Sequence, residues 1–226
     1  LRRSVGGCEK FHGAVIAHAG TADTRVFREV TQLGKELEKI GSRVMGSENH
    51  AKVGIIFDWE NYWALEYTSG PNRDLRYVDQ IEQMYNYFYN KNIAVDMIPI
   101  DADFSKYDLV AAPVLYMVKD GVAESLEAYV QAGGTLITTY MSGIVGQSDN
   151  VHLGGYPRPL RKMAGVWVEE IDALAPEQRN KIRFADGTEE ECRLVCDLMH
   201  LEGAEEIAQY ENDFYAGMTA VAKNQF

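Results

Sequence analysis

The sequence predicts an α/β fold built on an open parallel sheet with helices on both faces, because short apolar strands alternate with amphipathic helices from residue 52 onward. The strand candidates are "KVGIIFD", "IAVDMIPI", "YDLVAAPVLYMV" and "TLITTYMSG". Two helix candidates, "RDLRYVDQIEQMYNYFYNKN" and "DGVAESLEAYVQAGG", lie between them. Continuous apolar runs are typical of strands covered on both faces, and this alternation is typical of parallel sheets.

The first fifth of the chain has a different pattern. Residues 24–40 repeat apolar side chains at three- and four-residue spacing, which predicts an amphipathic helix that stops at Gly41. The glycine-rich and polar segment 41–52 follows and is the best candidate for a domain boundary. We therefore predict one region at residues 1–50 and an α/β domain at residues 51–226.

Local signals place the elements inside the α/β domain. Asp120 is expected to cap the helix at 120–134, and Gly133 is expected to end it. The preceding strand is expected to end at Pro113. Beyond Gly143 the pattern loosens, and "GVWVEEID" and "CRLVCDLMHLE" are the later strands that we assign to the same domain.

Composition excludes several classes of protein. The 226 residues hold 22 Lys and Arg against 34 Asp and Glu, a net charge of −12 that opposes binding to nucleic acid or anionic lipid. No apolar stretch approaches the roughly 18 residues of a membrane helix, and the polar first residues do not predict a signal peptide. Three cysteines do not form a disulfide framework, so we expect a reducing cytoplasm.

The predicted strand ends offer no cofactor cradle and no nucleophile. Neither G-x-G-x-x-G nor a phosphate-binding loop follows a strand, so we expect no cofactor. Ser142 follows a strand, but Tyr140 stands where a hydrolase turn needs glycine, and the glutamine-amidotransferase version of this fold needs a cysteine there. Ser142 is therefore predicted to be a turn residue.

Two groups of residues with metal-ligand side chains do not have the pattern of a metal site. Cys192, Cys196 and His200 recur every four residues, but no fourth ligand is apparent and their segment alternates like a strand. Glu9 and His12 form one E-x-x-H, whereas a di-iron site needs a second copy. We expect no metal site.

Aromatic residues cluster in "DWENYWALEY" and "MYNYFYN". Residues 58–74 are predicted to form a long exposed loop that contacts a partner or a sugar, while most of the other aromatic rings are expected to fill the core. If the strand before this loop continues, the carboxylates of Asp58 and Glu60 are not expected to face one another or to form an acid pair.

The sequence resembles the glycoside hydrolase family 42 β-galactosidases over nearly its whole length. The segments that carry the resemblance are "RRSVGGCEKFHGA", "ADTRVFREVTQLGKEL", "IIFDWENYWALE", "YVQAGGTLITTYMSGIV", "CDLMHLEGAEEIAQY" and "DFYAGMTAV". It implies that residues 1–50 are the end of a catalytic (β/α)8 barrel. It also implies that residues 51–226 are a flavodoxin-like, class I glutamine-amidotransferase-like domain that mediates homotrimer formation.

The resemblance also implies residue roles. Both glutamates of the retaining mechanism would lie upstream, so this chain contains no catalytic residue, whereas Glu9 and His12 match the family residues that hydrogen-bond galactose. Trp59, Tyr62 and Trp63 are candidates for the trimer interface or for closing a neighbour's active-site funnel. Without the rest of the barrel, residues 1–50 are expected to be disordered or folded against the α/β domain.

Two alternatives to an assembly domain remain open at this point. One is an α/β module that binds carbohydrate through the aromatic segment. The other is a stand-alone amidotransferase-like hydrolase, which the missing nucleophile turn disfavours.

Overall fold

The computed structural model describes residues 1–68 and 70–226 and divides into two compact units, Leu1–Asn49 and His50–Phe226. The first unit holds a 3₁₀ turn at Cys8–Phe11 and a long helix, α1, at Arg25–Val44. The Thr24 side chain caps α1 by accepting a hydrogen bond from the Phe27 N–H. The predicted stop at Gly41 is wrong: the helix continues through it, since a helix tolerates one glycine at a cost of about 1 kcal/mol.

The second unit begins with a parallel sheet of four strands, which confirms the predicted parallel α/β architecture. Its strands are β1 (Val53–Ile56), β2 (Val95–Ile98), β3 (Leu109–Ala112) and β4 (Thr135–Thr138). Their spatial order is β2-β1-β3-β4, and every neighbouring pair is parallel. The helices are α2 (Trp59–Tyr67), α3 (Tyr77–Tyr89) and α4 (Val122–Gln131).

Alternate residues of the buried strands serve two different hydrophobic clusters. Val53 and Ile55 of β1 pack into the cluster that contains Tyr77 and Ile81 of α3. Ile56 belongs to the cluster that contains Leu126 of α4. The period of two along a strand explains why the sheet is covered on both faces and why its strands are apolar runs.

The ends of α4 test two of the predicted caps. Asp120 does not cap the helix, because the cap is Gly121, which adopts φ 83°, a left-handed conformation that favours glycine. Gly133 does end it: the N–H of Gly133 donates to the Val130 carbonyl and that of Gly134 to the Tyr129 carbonyl. This bonding pattern is a Schellman motif.

The rest of the second unit contains a separate antiparallel sheet, so the predicted open parallel sheet accounts for only part of the domain. A short helix, α5 (Arg161–Ala164), precedes strands β5 (Val166–Ala173), β6 (Asn180–Phe184), β7 (Glu189–Cys192), β8 (Val195–Leu201), β9 (Glu205–Tyr210) and β10 (Thr219–Lys223). The strand order is β5-β8-β10-β9-β6-β7. Strands β6, β7, β9 and β10 were missed, because β7 is nearly all charged and the other three are short and mix polar with apolar residues. The two predicted later strands correspond to β5 and β8.

Among the described residues, none of the helices combines the length and the apolar character that crossing a bilayer requires.

Candidate functional site

The segment after β1 is a helix and not the predicted loop. Trp59–Tyr67 forms α2, and the Asp58 carboxylate caps it by accepting a hydrogen bond from the Asn61 N–H. Glu60 adds a negative charge to the first turn, where the helix dipole favours it. An aspartate directly before a helix is a recognised start signal, and the aromatic residues obscured it in the sequence.

Lys119 joins the two carboxylates of this turn. Its Nζ lies 2.9 Å from Asp58 Oδ1 and 2.6 Å from Glu60 Oε2. The expectation that Asp58 and Glu60 point apart is wrong, because the helix places both beside the segment that precedes α4. Partial burial lowers the pKa of Lys119, but the hydrogen bonds that its ammonium donates to Glu60 and Asp58 outweigh this and raise the pKa overall. The three groups form an ion-pair cross-link rather than an acid–base pair.

Asn61 fixes the turn that follows the central strand β3. Its fully buried side chain donates to the Val114 carbonyl at 3.0 Å and accepts from the Met117 N–H at 2.7 Å. Val114 has φ 46°, a conformation that a β-branched residue rarely adopts. Thr139 Oγ1 accepts from the Val114 N–H at 2.8 Å and helps to hold it there.

The strained turn at Val114, directly after β3, carries no nucleophilic side chain. A hydrolase nucleophile sits on a sharp, strained turn between a strand and a helix. Here the residue is an apolar valine with no exposed surface. The Ser142 hydroxyl, weighed from the sequence, donates to the Thr139 carbonyl at 2.7 Å and is buried. Ser142 therefore has the turn-stabilising contact expected of it.

One side of α2 presents aromatic rings to solvent. We call Trp59, Trp63 and Tyr67, which are 59%, 52% and 90% exposed, the α2 aromatic face. The rings of Trp59 and Trp63 lie 6.1 Å apart, and Trp59 makes an edge contact with Phe57 at 4.9 Å. Tyr62 differs, since it is half-buried and packs against the core with its ring 6.3 Å from that of Tyr77.

The E-x-x-H pair lies in the first unit. Glu9 belongs to the 3₁₀ turn Cys8–Phe11, and His12 follows that turn, its N–H donating to the Glu9 carbonyl at 3.0 Å. Both residues are exposed.

The three residues with metal-ligand side chains at four-residue spacing lie on two strands. Cys192 ends β7, whereas Cys196 and His200 lie on β8. His200 stacks on Trp167 with ring centroids 4.7 Å apart, and its Nε2 lies 2.6 Å from the Glu169 carboxylate. Within the part of the chain that the structure describes, no cluster of three potential ligands could hold a metal ion.

A cleft of about 1610 Å³ opens between β4 and the antiparallel sheet, and Asp197 lines it. Asp197 is buried, and its Oδ2 accepts from the Met141 N–H at 3.0 Å. Its Oδ1 has no hydrogen-bond partner among the described residues. Burial raises the pKa of Asp197 to about 7. The sequence contains one indication of this buried carboxylate, an aspartate inside the apolar run "VCDLMHL".

Comparison with known proteins places this geometry in a family. Residues 51–226 match the family described as the β-galactosidase trimerisation domain. The chain belongs to that family. Residues 1–40, before the trimerisation domain, match the family described as β-galactosidase.

Relatives of known name cover the whole of the chain. It is 51% identical over 226 residues to the β-galactosidase LacZ of Lactobacillus acidophilus and 52% identical over 231 residues to BgaA of Planococcus sp.. A crystal structure of β-galactosidase from Bacillus circulans sp. alkalophilus superposes with a TM-score of 0.88 at 48% identity. In each comparison the match covers 100% of this chain and 34% of the relative. The chain thus spans about a third of the length of these β-galactosidases.

Proposed function

We propose that this chain is the assembly region of a β-galactosidase, formed by the trimerisation domain together with the end of the catalytic barrel. The parent enzyme would hydrolyse terminal non-reducing β-D-galactose residues with retention of configuration. Both catalytic glutamates would lie upstream, so the chain alone is expected to be inactive. The family match over residues 51–226 is the observation that supports this most strongly.

The apolar side of α1 supports the assignment of residues 1–50 to a barrel end. Six large apolar side chains at helical spacing remain 39–56% exposed: Val26, Val30, Leu33, Leu37, Ile40 and Val44. A stripe of this kind is normally buried against another element. We propose that the neighbouring barrel helices and strands of the parent enzyme cover it.

Glu9 and His12 are proposed to bind substrate in the parent enzyme. A carboxylate can accept hydrogen bonds from two adjacent sugar hydroxyls, and an imidazole can donate to or accept from a third. Both side chains are exposed on the 3₁₀ turn and its flank, as a ligand-binding pair requires.

We propose that the parallel sheet is of the flavodoxin-like type and has become an assembly scaffold in this family. The order β2-β1-β3-β4 agrees with the first four positions of the flavodoxin order 2-1-3-4-5. The amidotransferase-like hydrolase alternative lacks support, since Val114 occupies the strained turn.

The surface proposed for trimer contact is the α2 aromatic face together with Tyr62. Exposed tryptophans are the side chains that most often dominate a protein–protein interface. Part of the face could instead close a neighbour's active-site funnel, since Trp59 and Trp63 are adjacent and project from the same helix. We further propose a homotrimer in the cytoplasm with no nucleic-acid partner, no membrane partner and no cofactor.

The solution mass of the chain tests the assembly proposal. Light scattering across a dilution series is expected to give three times the chain mass of 25.4 kDa. Trp59→Ala with Trp63→Ala is expected to weaken assembly roughly tenfold or more, because two central aromatic anchors are lost. Phe214→Ala, which removes a ring that is 72% exposed from the antiparallel half, is the control and should leave the mass unchanged.

Two results would contradict the proposal. A chain that stays monomeric at every concentration lacks an autonomous assembly surface. A trimer that tolerates loss of both tryptophans places the contact elsewhere.

A carbohydrate-binding module is the second candidate, favoured only by the adjacent exposed rings of Trp59 and Trp63. Calorimetric titration with galactose and with lactose distinguishes the two candidates. Heat of binding that disappears in the double tryptophan variant supports the carbohydrate-binding module. No heat of binding to the unaltered chain supports the assembly role.

A further inference from the structure

Cys192 and Cys196 flank a tight turn that joins two strands of the antiparallel sheet. Strand β7 ends at Cys192 and β8 begins at Val195, so only Arg193 and Leu194 connect them. Leu194 adopts φ 77°, a left-handed conformation that costs a non-glycine residue free energy. Across this connection Cys196 is a buried member of one hydrophobic cluster, and Cys192 packs against the same cluster.

The turn is held in this strained shape by contacts from outside it. The Leu194 carbonyl accepts from the Asn72 side chain at 2.8 Å and from the Leu174 N–H at 2.9 Å. The Asn72 side chain also donates to the Leu174 carbonyl at 2.8 Å. These hydrogen bonds therefore fix the turn on whose two sides the cysteines lie.

The two thiols differ in exposure. Cys196 is 1% exposed within a cluster that includes Tyr210 and Tyr215, whereas Cys192 packs against that cluster while half-exposed. Cys192 and Arg193 line the cleft between β4 and the antiparallel sheet. A small molecule in the cleft thus reaches the pair from the Cys192 side.

The two thiols also differ in acidity. Hydrogen bonding from Cys192 lowers the pKa of the Cys196 thiol; burial opposes this, and the Tyr215 and Tyr210 hydroxyls lower it further. The same bond, with burial, raises the pKa of Cys192. The first proton to leave the pair therefore leaves from Cys196, and the thiolate is the nucleophilic form of cysteine.

We propose that Cys192 and Cys196 form a redox-active thiol pair that closes to a reversible intrachain disulfide when the protein meets a hydroperoxide. The Cys196 thiolate attacks a peroxide oxygen, the O–O bond breaks, and a sulfenic acid and hydroxide form. The Cys192 sulfur then attacks the sulfenic sulfur, forming the S–S bond and releasing water. In total, two thiols and one hydrogen peroxide give one disulfide and two waters, with two electrons passing from sulfur to oxygen.

Peptide mapping after peroxide treatment tests the proposal on the whole chain. The Cys8→Ser variant removes the exposed third thiol, so that only the pair can react. After hydrogen peroxide, both remaining thiols should lose maleimide labelling together, with a mass loss of two hydrogens per chain. Because Arg193 lies between the cysteines, trypsin should give two peptides that stay linked until dithiothreitol separates them.

Single substitutions distinguish the cysteine that attacks the peroxide from the cysteine that attacks the sulfenic acid. In Cys192→Ser, a sulfenic acid should persist at Cys196 and be trapped by dimedone. In Cys196→Ser, oxidation at Cys192 should be at least tenfold slower. The proposal is overturned by full labelling of both thiols after peroxide, by a link between chains, or by irreversible oxidation of either sulfur. If a variant does not fold, the mapping of Cys8→Ser alone decides.

Discussion

At the scale of single residues, the side chains that hold the turn after β3 are more tightly constrained than those that the sequence brought to attention. Asn61 is fully buried and bonds two backbone groups, the Val114 carbonyl and the Met117 N–H. A buried group that loses its partner costs the full desolvation penalty. Asn61 therefore matters more for the stability of this region than the half-exposed Lys119 beside it.

Asn61→Ala is expected to lower the free energy of unfolding by about 2–4 kcal/mol, because a buried donor and a buried acceptor lose their partners at once. Urea titration followed by circular dichroism measures the change. The exposed Asn90, at the end of α3, gives the control Asn90→Ala, which should change stability by about 0.5 kcal/mol or less. Equal effects of the two substitutions would contradict the assigned role.

The role of a residue was predictable from the sequence where that role depends only on the local backbone conformation. Gly133 was recognised as a helix end because left-handed backbone favours glycine. Asn61 and Asp197 were not recognised, because their partners lie more than fifty residues away along the chain. The sequence pattern alone contains no information on such contacts.

At the scale of elements, the buried parallel strands were predictable, whereas only β5 and β8 of the six antiparallel strands were. Strands β1 to β4 are short apolar segments because both faces are covered. Strand β7 is nearly all charged, and β6, β9 and β10 mix polar and apolar residues over a short length, patterns that are also found in loops. The α2 helix was missed because its apolar residues surround the helix rather than forming a stripe.

Asp197 makes the antiparallel sheet sensitive to pH. Its pKa is raised to about 7 in the fold, so the folded state keeps a proton that the unfolded chain releases near pH 4. This group therefore favours folding least above pH 7, and its unfavourable contribution grows as the pH rises from about 4 to 7.

Asp197→Asn is expected to gain stability relative to the unaltered chain by on the order of 3 kcal/mol between pH 5 and pH 8, because the amide cannot ionise. Denaturant unfolding at both pH values measures this difference. Asp101→Asn at an exposed site is the control and should show no such trend. A stability difference that is the same at both pH values would contradict the raised pKa.

At the scale of the whole molecule, two compact units share one chain. The second unit has its own clusters of buried side chains on both faces of the parallel sheet and within the antiparallel sheet. The first has no buried residue in α1. The second unit should therefore fold without the first.

Removal of residues 1–49 is expected to leave the thermal midpoint of the remaining chain within about 2 °C of the original, because none of the three buried clusters includes a residue from the removed unit. Calorimetry measures the midpoint. Removal of residues 1–58 is the matched control: it deletes β1, a central strand of the parallel sheet, and should abolish cooperative unfolding. A fall of more than about 5 °C in the shorter truncation would show that the first unit stabilises the second.

Strand β7 has a consequence for how copies of the molecule can aggregate. It forms one edge of the antiparallel sheet and presents exposed carboxylates from Glu189, Glu190 and Glu191 in succession. An open edge is a template on which another chain can add a strand and begin a fibril. Three negative charges in a row repel the same edge of a second copy, so the protein can expose aromatic rings on α2 without this edge seeding amyloid growth.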